Sequence, residues 1–143
     1  MSADPVALVR ISSEPITVDE CEDAVDSPAH GAVVTFAGVV RDHDEGRGVV
    51  RLTYEAHPDA SAALAASARR IVERFPEVRV AAVHRVGDLV VGDLALACAV
   101  ASPHRAAAFE ACAALVDDIK ASVPIWKEQS FVDGTSEWVA SLG

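Results

Sequence analysis

The chain has 143 residues, a formal net charge of −10 and 51% hydrophobic residues, enough for one domain with a single core. Its acidic balance argues against general nucleic-acid binding, because binding to phosphate backbones requires a basic face. No apolar run approaches the roughly 20 residues of a membrane-spanning helix and no secretory signal is visible, so we expect one cytoplasmic domain over residues 1–143. The three cysteines lie in apolar segments without metal-ligand spacing, as reduced core thiols do.

The first forty residues predict two strands and one short helix. Residues 6–12 have the composition of a strand. Thr17 and Glu20 then form a capping-box pattern, which predicts the start of a helix that extends to about Asp26. The run 32–40 is almost entirely apolar and rich in β-branched residues, so we expect a strand that is buried on both faces.

The next segment predicts a half-buried strand and an amphipathic helix. A charged, glycine-containing loop at 42–48 precedes a strand in which apolar and polar residues alternate. The apolar positions of this strand are Val50, Leu52 and Tyr54. A helix begins at Asp59 and ends at Pro76, because apolar residues recur at helical spacing between them. These core positions are Leu64, Ala68, Ile71 and Phe75.

The second half of the chain predicts two strands at 78–86 and 94–101, a long helix and a hairpin. Ser102 is expected to be the N-cap of the helix, with a proline in its first turn. The core stripe of this helix consists of Phe109, Cys112, Val116 and Ile119. Asp133-Gly134 is the best hairpin signal in the chain, between Phe131-Val132 and Trp138-Val139. Helices interspersed with hairpin-linked strands predict an α+β domain with an antiparallel or mixed sheet and two long helices.

The chain contains only two lysines, and they lie seven residues apart. Lys120 is at the end of the long helix beside its core stripe, and Lys127 follows a helix-breaking proline and Trp126. Burial or neighbouring cations readily lower the pKa of a lysine, so a pair next to an aromatic side chain indicates a tuned site. The alternative is structural, because a lysine at the edge of a core stripe also extends its ammonium group into solvent.

Two further groups of residues indicate anion binding. His104 and Arg105 fall in the predicted first turn of the long helix, where free N–H groups, imidazole and guanidinium together suit a phosphate or carboxylate. The alternative is that both side chains point into solvent. Arg41 ends the apolar strand before the charged loop, which is a frequent position for functional side chains and also a commonplace one for arginine. His84, in the middle of a strand, is expected to be structural.

Several short motifs follow one another in a fixed order along most of the chain. They are GAVVTF and GVVR at 31–41, HRVGDL and GD at 84–93, SPHR and FE at 102–110, and Lys120 with PIWKE at 124–128. From about Gly31 to Trp138 the chain resembles the large, catalytic subunit of molybdopterin synthase. The set of motifs at fitting spacings makes this resemblance far more specific than any single short pattern.

The resemblance implies an α/β-hammerhead fold and a homodimer that is flanked by two small ubiquitin-like subunits in a heterotetramer. Each small subunit of that family inserts a Gly-Gly tail that ends in a thiocarboxylate. The family's enzyme adds two sulfurs to cyclic pyranopterin monophosphate and so forms the dithiolene of molybdopterin. Because the partner's thiocarboxylate supplies the sulfur, we expect no permanently bound cofactor and no metal.

The same resemblance implies a role for each candidate residue. Lys120 is expected to be the leading catalytic residue, with Lys127 as its close partner. Lys120 would position the sulfur donor and handle protons or charge as each acyl–sulfur bond breaks. The phosphate of the pterin requires an anion site, and the residues expected to bind the substrate are Arg41, His104, Arg105 and Trp126.

One departure from the family pattern lies near the end of the chain. The family commonly has an arginine four residues beyond the tryptophan of the last hairpin, where this chain has Leu142. Either another arginine, such as Arg47, supplies the charge, or the substrate binds more weakly. The alternatives to a synthase are a partly disabled paralogue, a non-catalytic dimeric module that binds a ubiquitin-like tail and, more distantly, an enzyme that uses Lys120 as a Schiff base.

The length of the second long helix predicts a site shared between two chains. His104 and Lys120 are sixteen residues apart on it, so about 24 Å separates their backbones. Both are therefore not expected to contact one compact substrate within a single chain. A twofold dimer resolves the conflict, because each helix start reaches the lysines of the other chain. We expect each site to combine Lys120, Lys127 and Arg41 of one chain with His104 and Arg105 of its mate.

Overall fold

The computed structural model describes residues 4–140, which contain three helices and nine strands. The helices are α1 (Val18–Val25), α2 (Ala60–Arg74) and α3 (Arg105–Ser122). The strands are β1 (Val6–Ser12), β2 (Ala32–Val39), β3 (His43–Asp44), β4 (Arg47–Ala56), β5 (Arg79–Arg85), β6 (Gly87–Val90), β7 (Leu94–Ser102), β8 (Ile125–Phe131) and β9 (Ser136–Ala140). The predicted α+β class with two long helices is confirmed.

A four-stranded sheet in the order β1-β5-β7-β2 lies at the centre of the fold. β1 pairs with β5 in parallel, and the other pairs are antiparallel. On one face, Cys21 and Val25 of α1 pack against small residues of β5 and β7 such as Ala97 and Ala99. Helices α2 and α3 cover the other face. The central strands β5 and β7 are therefore almost fully buried.

A second sheet in the order β3-β4-β8-β9, with β6 paired to β4, supplies the rest of the core. The turn between β3 and β4 consists of Glu45 and Gly46, whose φ angles of 50° and 80° are those of a primed hairpin turn. The predicted hairpin at Asp133-Gly134 is confirmed, with Gly134 at a φ of 87° between β8 and β9. The long strand β4 thus contacts three other strands and holds this sheet together.

The prediction that 32–40 is buried on both faces is wrong. β2 is an edge strand whose residues alternate between half-buried and exposed, because α3 covers only one of its faces. Val33 and Val39 are consequently exposed, by 40% and 51%. The phase predicted for β4 is correct at Leu52 and Tyr54 but wrong at Val50, because the pairing with β8 shifts register between Val49 and Arg51 and buries Val49 instead.

Helix α3 also differs from the prediction at its start. Strand β7 continues through Ser102, so the helix begins at Arg105 and His104 is its N-cap. Cys112 and Ile119 are buried as predicted, but Phe109 is 62% exposed and borders a cavity with Val34 and Phe36 of the edge strand β2. Among residues 4–140, none of the helices has the length and apolar character needed to cross a membrane.

Candidate active site

A cavity of about 200 Å³ opens where the end of β2, the β3–β4 hairpin, the last turn of α3 and β8 meet. Three cationic side chains line it: Arg41, Lys120 and Lys127. The other lining residues are Val39, Val40, His43, Leu52 and Gln129. Cations from three separate segments thus converge in a chain whose net charge is −10. Three of the six residues that the sequence indicated share this one cavity.

Lys120 reaches the cavity from the last turn of α3. A cation is favourable at this position, because the carbonyl end of a helix carries partial negative charge. The helix ends at Ser122, and Val123 follows as a C-cap with an extended backbone. Strand β8 begins two residues later, and its pairing with β4 places Lys127 opposite Tyr54. The two lysines therefore approach the cavity from a helix and from a strand.

A polar network fastens the last turn of α3 to α2. The Asp118 carboxylate accepts hydrogen bonds from Arg70 Nη2 at 2.6 Å, Arg70 Nε at 3.0 Å and Ser67 Oγ at 2.6 Å. Ser122 Oγ donates to the backbone carbonyl of Asp118 at 2.5 Å. The hydrogen bonds from Arg70 are the main reason why the pKa of Asp118 falls to about 2. Because Lys120 lies between Asp118 and Ser122, the network fixes the backbone that carries it.

Lys127 is half-buried, and this loss of contact with water is the main reason why its pKa is lowered. The carboxylate of Asp44 opposes the shift. The positive charges of Arg41 and Lys120 lower the pKa of Lys127 further, and the carboxylate of Glu137 opposes them with the smallest effect. Lys127 therefore releases its proton more readily than a lysine in water does.

Asp44 and Gln129 are site residues that the sequence analysis missed. Gln129 is 3% exposed, and its Nε2 donates to Asp44 Oδ2 at 2.8 Å and to Glu137 Oε1 at 3.1 Å. Asp44 also accepts a hydrogen bond from Arg41 Nη2 at 3.3 Å. Strand alternation could have identified Gln129, because it lies two residues after Lys127 and so shares its face. Asp44 does not line the cavity itself, but the tight β3–β4 turn brings its carboxylate to Arg41 and Gln129, which do.

Trp126 lies on the opposite face of β8 from Lys127 and does not line the lysine cavity, so its role in substrate binding stays a prediction. Successive side chains of a strand point to opposite faces. Trp126, which is 43% exposed, instead borders a separate cavity of about 340 Å³ together with Trp138 and His57. The apolar wall beside the lysines is aliphatic and consists of Val39, Val40 and Leu52.

His104 and Arg105 lie at the opposite end of α3 from the lysines. His104 is the N-cap, with an extended backbone and no capping hydrogen bond from its side chain. Both residues are exposed. The sixteen residues from His104 to Lys120 span about 24 Å of helix. Within one chain, this pair therefore does not reach the cavity.

Arg47 does not line the cavity either. Its guanidinium carbon lies 3.6 Å from the centroid of the Phe131 ring, and Nη2 donates to Thr135 Oγ1 at 2.6 Å and pairs with Asp133 at 3.4 Å. Arg47 is thus engaged with the β8–β9 hairpin. Leu142, which stands where the family commonly has an arginine, lies outside the described residues.

The other reactive side chains of the core are in structural settings. His84 is fully buried, its ring meets that of Tyr54 edge-on at 5.1 Å, and burial lowers its pKa to about 4. The three cysteines are free and buried, and burial raises the pKa of Cys21 to about 11. Protonated thiols are poor nucleophiles. Within residues 4–140, no cluster of three or more His, Cys, Asp or Glu side chains is arranged to hold a metal ion.

Known proteins share both the sequence and the fold of this chain. The family model described as MoaE protein matches residues 11–122. The chain belongs to the MoaE family. Molybdopterin synthase catalytic subunit 1 of Mycobacterium tuberculosis is 41% identical over 131 residues, which cover 91% of this chain and 88% of that protein. The molybdopterin synthase catalytic subunit of Halalkalibacterium halodurans is 42% identical over 130 residues, which cover 90% of this chain and 83% of that protein.

Solved structures agree with this membership of the MoaE family. Molybdopterin synthase from Staphylococcus aureus superposes with a TM-score of 0.86 at 37% identity, covering 92% of this chain and 96% of that one. The MoaE protein from Burkholderia ambifaria gives 0.82 at 31% identity, with 96% and 92% covered. A complex of subunits 1 and 2 of molybdopterin-converting factor from Helicobacter pylori gives 0.64 at 18% identity, covers 97% of this chain and 91% of that one, and supports the fold alone. The family and fold predicted from the sequence are confirmed.

Proposed function

We propose that this chain transfers sulfur from the C-terminal thiocarboxylate of a small ubiquitin-like subunit to cyclic pyranopterin monophosphate, and so forms the dithiolene of molybdopterin. Arg41, Lys120 and Lys127 meet in one cavity of an otherwise acidic chain, and this convergence carries the proposal. The phosphate of the pterin and the thiocarboxylate of the tail are both anions, and cationic side chains bind both. Membership of a family whose members are named molybdopterin synthase catalytic subunit supports the same function.

Lys120 and Lys127 act on the sulfur donor. The thiocarboxylate sulfur attacks an oxygen-bearing carbon of the pterin side chain, and the carbon–oxygen bond at that carbon breaks as the oxygen takes up a proton and leaves as water. Water then adds to the carbonyl of the resulting thioester and the acyl–sulfur bond breaks, which leaves the tail as a carboxylate and the sulfur on the pterin as a thiol or thiolate. Negative charge develops on the acyl oxygen in the second step, and a fixed ammonium group stabilises it. Lys120, on the fastened turn of α3, suits this electrostatic role. Lys127, whose pKa is lowered mainly by burial, suits proton transfer to the departing sulfur.

The partner supplies the sulfur, so the reaction requires no permanently bound cofactor. The cysteines of this chain take no part, in keeping with their burial. The cavity of about 200 Å³ with its aliphatic wall suits an extended glycine tail, because glycine has no side chain to accommodate. The small subunit binds through its C-terminal strand and tail, and the tail extends toward Lys120.

A homodimer completes the site. β2 is an edge strand, and its exposed positions are apolar or uncharged: Val33, Thr35, Ala37 and Val39. At its start, Ala32 pairs with Ser102, two residues before His104. At its end, Val39 lines the cavity. This one exposed strand therefore connects the two parts of the chain that the proposed site requires.

The length of β2 fits a twofold arrangement. Seven residue steps along a strand span about 23 Å, close to the ~24 Å between His104 and Lys120 on α3. A twofold axis through the middle of β2 makes two copies of the strand antiparallel, so that the start of one lies beside the end of the other. The same operation carries His104 and Arg105 of one protomer to the cavity of its partner. The pterin phosphate then binds between this pair and Arg41.

The test combines the purified chain, a small subunit that ends in a thiocarboxylate, and cyclic pyranopterin monophosphate. Formation of the dithiolene is expected. A small subunit that lacks its last two glycines is the matched control and is expected to give no product even where its globular contact survives. Product with that truncated partner would contradict the role of the thiocarboxylate. Binding of the intact partner without any product would instead favour a non-catalytic module.

A further inference from the structure

One acidic side chain, Asp44, lies among the cations of the site. It is the last residue of β3, and 24% of its side chain is exposed. One carboxylate oxygen, Oδ2, accepts from Gln129 Nε2 at 2.8 Å, and the other, Oδ1, accepts from Arg41 Nη2 at 3.3 Å. Each oxygen therefore has its own donor, and the two donors come from different walls of the cavity.

These two contacts of Asp44 differ in kind. The Arg41 side chain is 65% exposed, so water screens its ion pair with Asp44 and the contact is weak and exchangeable. Gln129 is buried, and a buried amide bonded to a charged acceptor forms a stronger contact. Asp44 is thus held firmly on the Gln129 side and presents its other oxygen to the cations.

Four charged groups act on Lys127, each from a different segment. They are Asp44 of β3, Arg41 between β2 and β3, Lys120 of α3 and Glu137 of β9. Burial and the two cations favour the neutral amine, and the two carboxylates favour the ammonium. Asp44 exerts the largest effect of the four. Its carboxylate also contacts Arg41 and Gln129, which line the same cavity as Lys127.

We propose that Asp44 is a positioning residue, which keeps Lys127 charged and Arg41 directed over the cavity until a bound anion takes over both cations. The inference rests on the proposed function, because the pterin phosphate and the thiocarboxylate are the anions in question. When such an anion binds, Arg41 exchanges its screened contact with Asp44 for the ligand, while Gln129 retains Asp44. The cavity therefore holds a counter-charge both before and after binding.

The scarcity of lysine allows a direct test. Protein grown on lysine labelled with ¹³C at the ε carbon gives signals from two side chains only, and Lys120→Ala identifies each of them. The Lys127 signal is titrated with pH in the wild type and in Asp44→Asn. We expect its midpoint to move to lower pH in Asp44→Asn, because burial and both cations remain while the counter-charge is lost. Glu45→Gln removes the same charge from the next, exposed residue and should leave the midpoint unchanged.

Two additional measurements separate a charge effect from a general disturbance of the hairpin. Inorganic phosphate should return the Lys127 midpoint of Asp44→Asn toward the wild-type value, because an anion in the cavity replaces the missing carboxylate. The double variant Asp44→Asn with Gln129→Glu restores a carboxylate to the same hydrogen-bonded pair, and it should recover part of the shift despite the nearby Glu137. In sulfur transfer, the alkaline limb of the kcat/KM profile should move to lower pH in Asp44→Asn.

A Lys127 midpoint that is unchanged in folded Asp44→Asn protein overturns the inference. A shift of equal size in Glu45→Gln overturns it too, because the effect would then reflect net charge rather than position. Both outcomes leave the proposed function intact, since neither measurement involves product. The opposite combination is a Lys127 midpoint that shifts in Asp44→Asn while the wild-type chain forms no dithiolene. It supports the role of Asp44 and contradicts the proposed reaction.

Discussion

The two ends of helix α3 differ in how they are completed. At its carboxyl end, Asp118 binds Arg70 and Ser67 of α2, and Lys120 faces a cavity built by neighbouring segments. At its amino end, His104 makes no capping hydrogen bond and Arg105 is exposed. Folding of a single chain is sufficient to assemble the first region. The second is exposed, and in the proposed dimer it acquires its binding role from the partner protomer.

This contrast separates two kinds of functional residue. Residues at the carboxyl end of α3 should act whenever the chain is folded, and their loss should reduce turnover without affecting assembly of the dimer. Residues at the amino end of α3 should act only in the dimer, and a partner protomer that still has them should restore the activity lost with them. The following variants test each half of that distinction, from the largest expected effect to the smallest.

Lys120→Ala is expected to abolish sulfur transfer and to leave the fold intact. Lys120 is exposed on the last turn of α3, so the free energy of unfolding should change by about 1 kcal/mol or less. Activity is measured with the thiocarboxylated partner and stability by urea titration. Asp117→Ala, an exposed change on the same helix outside the cavity, is the control. More than about a tenth of the wild-type rate, a barrier increase under ~1.4 kcal/mol, would remove Lys120 from the chemistry.

Mixing two inactive proteins, Lys120→Ala and His104→Ala, is expected to restore activity. In a heterodimer one site has both damaged contributions and the other has neither, so activity can reach about half of the wild-type value per heterodimer. The measurement is product formation after subunit exchange, with exchange followed by mass spectrometry. Absence of recovery despite complete exchange would show that the two ends of α3 do not serve a shared site.

Lys127→Met is expected to lower turnover and to stabilise the fold at pH 7. The pKa of Lys127 is lowered in the folded state. Below that pKa both states carry the ammonium charge, but only the folded chain pays a free-energy penalty for it, because the ammonium is fully hydrated in the unfolded chain. Raising the pH through the folded pKa toward the usual 10.5 relieves this penalty. The gain of Lys127→Met should therefore shrink as pH rises. Urea titrations at pH 7 and pH 10 measure it, and a less stable variant at pH 7 would contradict the prediction.

Arg47→Ala is expected to have the smallest effect. Its guanidinium is engaged with Asp133 and Thr135 outside the cavity, so turnover should stay within about twofold of the wild type. These contacts are partly exposed and their loss should lower the free energy of unfolding by about 1 kcal/mol or less. Steady-state kinetics and urea titration provide the measurements. A loss of activity above tenfold would mean that Arg47 supplies the charge that Leu142 does not.

Sequence patterns were most reliable where one local rule determines the structure. The Thr17 capping box forms both of its hydrogen bonds. The stripe of α2 is buried at Leu64 and Ile71 as its spacing predicted. The turn at Gly134 likewise follows from its residue type. Each of these features depends on residues within a few positions of one another.

Features that depend on pairing between distant segments were not predictable. Trp126 lies on the opposite face of β8 from Lys127, and this separation follows only once 125–131 are known to form a strand. Phe109 has helical spacing with the core stripe, but it is exposed and borders an open cavity with Val34 and Phe36 of the edge strand β2. Asp44 enters the site through the register of β3 with β4. Sequence alone therefore identified the lysines of the cavity and missed the hydrogen-bonded pair of Asp44 and Gln129 beside them.

Because of the hydrogen-bond network at Asp118, the walls of the cavity differ in stiffness. Helix ends normally fray, because their last carbonyl groups lack partners. Here the terminal turn is tied to a second helix, so Lys120 moves with the body of the protein. The facing wall includes the two-residue strand β3, which pairs only with β4 at the edge of the second sheet and is the kind of element that opens most readily. A substrate that changes shape as each sulfur is added would therefore meet one rigid wall, which holds the Lys120 ammonium in place. The other wall would adjust to the shape of the substrate.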